Sequence, residues 1–118
     1  FESPISFELK SGETIKIPTG IRAVIDENWV LKIYSRSSLG FKYRLWLDNL
    51  TGIIDSDYSN SDNEGHIFIK VTNNSLEDKI VRINRGDKFA QGIFVQYGTV
   101  IDDDVVEERN GGFGSTNK

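Results

Sequence analysis

Two carboxylates and a phenol follow an apolar run in Gly52-Ile53-Ile54-Asp55-Ser56-Asp57-Tyr58. A carboxylate at the mouth of an apolar segment is costly to desolvate, and what offsets that cost is either chemistry or a turn to cap. Within hydrogen-bond reach of a water, such a group is a general base. A second cluster, Arg36-Ser37-Ser38, sets a planar fork of donors beside two hydroxyls, an arrangement suited to phosphate and equally common in exposed turns. Gln91 lies in an apolar run after the turn-like Arg85-Gly86-Asp87; facing a pocket its amide donates to an anion, facing outward it is simply solvated. The last candidate is Asn110-Gly111-Gly112-Phe113-Gly114-Ser115-Thr116. Glycine backbones bend closely around a ligand, hydroxyls meet phosphate oxygens and a phenyl ring caps a flat base; a frayed end reads the same way. His66, the single histidine, reads as a loop or strand residue, and one histidine without other candidate ligands nearby does not make a metal site.

These groups need a scaffold, and the periodicity predicts strands. Ile15 and Ile17, then Ile21, Ala23 and Ile25, alternate with polar neighbours on either side of Pro18-Thr19-Gly20. Residues 29–34 form a run rich in β-formers, Ile67, Ile69 and Val71 mark one strand face, and residues 80–83 and 92–95 repeat the style. No window carries an apolar stripe of helical period over three turns. Turn residues recur at Ser11-Gly12, Asp62-Asn63-Glu64-Gly65 and Asn73-Asn74-Ser75. Together they predict one all-β domain, barrel or sandwich, with no internal repeat.

Composition narrows the classes. A chain of 118 residues fits one domain that gains from oligomerising. The formal net charge of -4 argues against a nucleic-acid backbone as partner, while leaving room for a nucleotide in one local pocket. There is no cysteine, which excludes disulfides and thiolate chemistry together. No apolar run approaches the ~20 residues of a membrane-spanning helix. The sequence begins at Phe1 and contains no Met, from which we expect residues upstream of it.

Taken in order, "SRSSLG" (35–40), "GIIDSDY" (52–58), "RGDKFAQG" (85–92) and "NGGFGST" (110–116) resemble four of the five ordered motifs of the trimeric dUTP diphosphatase (dUTPase) family, over essentially the whole chain. The resemblance implies a jelly-roll-like β domain of the β-clip type over residues 1–109 and a flexible glycine-rich lid over 110–118. It implies cytoplasmic homotrimers with sites at the subunit interfaces, and Mg²⁺-dependent hydrolysis of dUTP to dUMP and pyrophosphate. Asp55 then activates the water that attacks the α-phosphorus. Arg36, Ser37, Ser38, Gln91, the Gly52 backbone, Arg109, Gly114, Ser115 and Thr116 meet the phosphates. Tyr58 packs under deoxyribose, the main chain near Ile67-Phe68 pairs with uracil beside Asn49, and Phe113 stacks over the base. Asp57 is assigned to the subunit interface or to chemistry alike.

The departures carry their own expectations. Ser35 stands where the family usually has Pro, and Arg109 lies four residues before Phe113 instead of five. The family's first motif, with the Asp that binds metal-coordinated water, is absent, so the Mg²⁺ is held through substrate phosphates and water, without a protein ligand in this sequence. Residues 59–65 exceed the compact family turn and are expected to bulge outward, offering a surface to a regulatory protein partner. A nucleotide-binding module of the same fold without catalysis is the alternative function. The sibling dCTP deaminase shares Arg-Ser-Ser-Leu, but its middle motif reads Asp-Pro-Gly followed by an aromatic, where this sequence has Asp55-Ser56-Asp57-Tyr58.

Overall fold

The computed structural model of the chain describes residues 1–101. Among them are eight strands: β1 (Phe7–Leu9), β2 (Thr14–Pro18), β3 (Trp29–Ser35), β4 (Leu45–Leu47), β5 (Gly52–Ile54), β6 (Phe68–Asn73), β7 (Val81–Ile83) and β8 (Ala90–Gln96). One seven-residue helix, α1 (Ser37–Tyr43), joins β3 to β4. All pairings are antiparallel and give three small sheets in the orders β1-β7, β2-β6-β4 and β5-β3-β8. The fold is all-β, as the sequence predicts.

The alternating pattern decides which faces meet. In the β2–β6 register Ile15 opposes Val71 and Ile17 opposes Ile69, so Ile17, Ile69 and Val71 share the buried face and Lys16 and Lys70 the solvent face. Ile33, Leu45, Ile67, Val81 and Phe89 complete a core that all three sheets share. Asn73, fully buried among these apolar groups, satisfies its amide completely. Its Nδ2 donates to Leu9 O at 2.9 Å and to Lys79 O at 2.8 Å, and its Oδ1 accepts from Ser75 N.

Two sequence expectations need correction. The alternation at 21–25 does not make a regular strand. Gly20 turns the chain at φ +73, so beyond Pro18 the β2–β6 ladder thins to Thr19 N on Ile67 O and Ile67 N on Ile21 O. The stretch at Arg36-Ser37-Ser38 is also more than a turn, because it opens α1. That helix buries no residue, so the apolar stripe by which a sequence announces a helix is absent. It ends at Arg44, in the left-handed conformation at φ +51, whose guanidinium stacks 4.5 Å from the Trp46 ring centre.

Candidate active site

β3 is the axis on which the predicted groups are arranged. At its far end Ser35 opposes Ala90 of β8, and Arg36 follows in an extended conformation. Arg36 Nη1 donates to Lys88 O at 3.2 Å, and Gln91 Nε2 donates to Ser35 O at 3.1 Å. The structure therefore brings Arg36, Ser37, Ser38 and Gln91 to one exposed corner, where the Arg36 and Gln91 side chains donate to backbone carbonyls. Arg36 and Ser37, with Phe41, Arg44 and Trp46 nearby, line an open cleft of about 560 Å³.

Asp55 belongs to the other end. β5 runs back along β3 with Gly52 opposite Ile33 and Ile54 opposite Leu31, so Asp55 emerges one step further, at the level of Val30. Gly52 has a packing reason for lacking a side chain, since a Cβ there would lie 3.2 Å from Ile33 Cβ. Asp55 is half-buried, with Oδ1 shielded from solvent. A tight turn follows, in which Tyr58 N donates to Asp55 O at 3.3 Å, and a single 3-10 turn (Tyr58–Asn60) comes after it. Asp57 is exposed ahead of that turn, and its C=O accepts from Asn60 N.

Tyr58 is only 5% exposed, and its hydroxyl donates to His66 O at 2.7 Å. Residues 59–65 do not simply bulge outward. Ser61 is buried, with Oγ 2.6 Å from Tyr58 O, and Asn63 Nδ2 donates to the Tyr58 hydroxyl at 3.0 Å. Gly65 closes the excursion at φ +80, where a Cβ would lie 2.7 Å from Ser59 Cα, so only glycine fits. What does project is the exposed tip at 62–64.

The predicted base-contacting pair divides. The Ile67 side chain is buried, and its peptide is engaged on the β2 side, its N–H by Ile21 O and its C=O by Thr19. Peptides along an antiparallel strand alternate in direction, so the Phe68 peptide points toward β4. There Asp48 N reaches Lys70 O, and beyond it β4 has already turned away through Asn49 and Leu50. Phe68 thus presents a strand edge toward the exposed Asn49 loop. His66 is scaffold: its Nε2 accepts from Gly20 N at 3.0 Å, which puts the ring proton on Nδ1, and its ring lies 4.4 Å from that of Phe68.

Arg109, Phe113, Gly114, Ser115 and Thr116, and the lid at 110–118, lie outside the described residues. Among the described residues no three His, Asp or Glu side chains gather as a metal site, and no helix is long and apolar enough to cross a membrane. Asn63 was missed by sequence reasoning, and the only signal for it is the Asn63-Glu64-Gly65 turn composition.

Comparison with known proteins agrees over the length of the chain. Residues 1–117 match the family model described as dUTPase. The chain is 39% identical to the deoxyuridine 5'-triphosphate nucleotidohydrolase of Lactococcus lactis subsp. lactis (strain IL1403), covering 98% of this chain and 83% of that protein. It is also 39% identical to the protein of the same name from Haemophilus influenzae (strain PittEE), covering 96% of this chain and 74% of that one. Among solved structures, the dUTPase from Streptococcus mutans superposes with a TM-score of 0.71 at 34% identity, over 84% of this chain and 77% of that one.

Proposed function

The chain belongs to the dUTPase family, and on that premise we propose that it hydrolyses dUTP to dUMP and pyrophosphate. The observation that carries the reading is the turn at the end of β5, where half-buried Asp55 and Tyr58 are tied together next to the open strand edge at Phe68. In that arrangement a uracil pairs with the Phe68 peptide and Asn49, deoxyribose lies against Tyr58, and the α-phosphate comes to Asp55. Asp55 takes a proton from a water as its oxygen attacks the α-phosphorus in line, and the bond to the bridging oxygen of pyrophosphate breaks. Arg36, Ser37, Ser38 and Gln91 neutralise the charge growing on the leaving group, with the Gly52 backbone close by. Arg109, Gly114, Ser115 and Thr116 supply further phosphate contacts, and Phe113 covers the base. Mg²⁺, when bound, would be held through the substrate phosphates and water and would offset the charge of the triphosphate.

One protomer does not complete this set. Asp55 lies at the level of Val30 and Arg36 is six residues further along the chain, a separation of roughly 20 Å for an extended strand. The site is therefore assembled from several copies, as in a homotrimer. The outer face of the β5-β3-β8 sheet supports this: Ile53 and Ile93 flank Lys32 in register and are 52% and 50% exposed. The non-catalytic module and the protein partner keep only the exposed Asp62 and Glu64 as support, because Ser61 and Asn63 bond back to Tyr58.

The test is pyrophosphate release from dUTP, UTP, dTTP and dCTP, with Mg²⁺ and with chelator. Release from dUTP alone, lost on chelation, is the expected result. Absence of release from dUTP refutes the reading, and ammonia release from dCTP would replace it with deamination.

A further inference from the structure

We propose that Asn63 sets sugar selectivity, by holding the Tyr58 hydroxyl and so fixing the wall against which a 2′-hydroxyl would collide. The inference rests on the proposed hydrolysis of dUTP and names a positioning residue for it.

The Tyr58 ring is packed against the core at 5% exposure, and the hydroxyl at its tip needs polar partners of its own. Tyr58 belongs to a three-residue 3-10 turn between β5 and β6, a short element with few backbone hydrogen bonds of its own. A wall excludes an extra oxygen only if it does not yield, since a mobile ring moves aside for the larger sugar. The Tyr58 hydroxyl is fixed from two directions: it donates to His66 O at 2.7 Å and accepts from Asn63 Nδ2 at 3.0 Å. The other end of the Asn63 amide is fixed too. Its Oδ1 accepts from Gly65 N at 3.1 Å and lies 2.8 Å from Ser61 Oγ. Rotation of the amide would set Nδ2 against the Gly65 N–H, so the orientation that donates to Tyr58 is the one the turn enforces.

The chain geometry serves the same end. Gly65 sits against Ser59 more closely than any side chain allows, and the chain just before it brings the Asn63 amide to the Tyr58 hydroxyl. His66, whose carbonyl is the second partner, is itself anchored through Nε2 to Gly20 N. The hydroxyl is thus held by Asn63 within the excursion and by His66 just after it, one on either side of Gly65. The excursion beyond the compact family turn becomes a brace for the sugar pocket.

The test is a double-mutant cycle on selectivity, with Asn63→Leu, Tyr58→Phe and the pair. For each, kcat/KM is measured for dUTP and UTP alongside the thermal midpoint. Asn63→Leu is expected to lower the dUTP-to-UTP ratio of kcat/KM by roughly fivefold to tenfold, the scale of one hydrogen bond, mainly through a lower KM for UTP. Tyr58→Phe should produce a fall of similar size, and adding Asn63→Leu to it should change the ratio no further, because the shared contact is already gone. A lower thermal midpoint with an unmoved ratio in Asn63→Leu overturns the proposal, as does full additivity in the pair. If Asn63→Leu does not fold, Tyr58→Phe alone decides, and an unmoved ratio there overturns it. Failure of the wild-type protein to hydrolyse dUTP would instead refute the function on which this rests.

Discussion

Asp55 and Arg36 can be separated genetically because the structure separates them physically. Their positions along β3 differ by roughly 20 Å, and groups that touch one triphosphate through contacts of about 3 Å cannot be that far apart. The Arg36 side chain does not close the gap, since its guanidinium is bonded to Lys88 O, beyond the Ser35–Ala90 pair and further from Asp55. On the proposed function a working site takes Asp55 from one protomer and Arg36 from another. Asp55→Asn and Arg36→Ala protomers should each be inactive alone. Coexpressed under different tags and purified as mixed oligomers, they should recover about one third of wild-type turnover per site, because a ring of three protomers that holds both types has one junction in three with an intact copy of both residues. The assay is pyrophosphate release at saturating dUTP. Mixed oligomers as inactive as their parents would refute the shared site, and substantial activity in Arg36→Ala alone would remove Arg36 from it.

Other expectations concern single residues. Asp55→Asn should retain dUTP binding by calorimetry while turnover falls by roughly 10²- to 10⁴-fold, the range associated with a lost general base; unchanged turnover refutes the assignment. Gly65→Ala should destabilise the protein by about 2 kcal/mol or more in urea, since the added carbon meets Ser59 Cα at 2.7 Å and φ is +80; a neutral effect would show that the turn can open. Arg44→Gly should be nearly neutral, relief of the left-handed backbone (about 1 kcal/mol) being offset by the lost stacking on Trp46 (about 0.5–1 kcal/mol). A loss above about 1.5 kcal/mol would show that the stacking is the larger effect.

How far the sequence could be read depended on whether a residue's partner lay close along the chain. β2 and β6 were legible because Ile15, Ile17, Ile69 and Val71 repeat with the period of a strand. β1, β4 and β5 are three residues each and carry no period that stands out from their surroundings, whereas the equally short β7 was marked by Ile80, Val81 and Ile83. Residues 21–25 carried the same alternation as β2, yet the left-handed turn at Gly20 ended the regular ladder first. At the site, residue types pointed to Asp55, Arg36 and Gln91. The contact of Asn63 with Tyr58 depends on a fold-back that only the left-handed Gly65 permits, and a string of polar residues looks the same whether or not it folds back.

The Asn73 amide bridges two sheets. It grips Leu9 on one side and Lys79 on the other, and so fastens the two-stranded β1-β7 sheet to the end of β6 in a different sheet. The small sheet therefore has no independent way to peel off. In hydrogen exchange, amides of β1 and β7 should open together with those of β6, as one cooperative unit, despite the brevity of the strands that carry them.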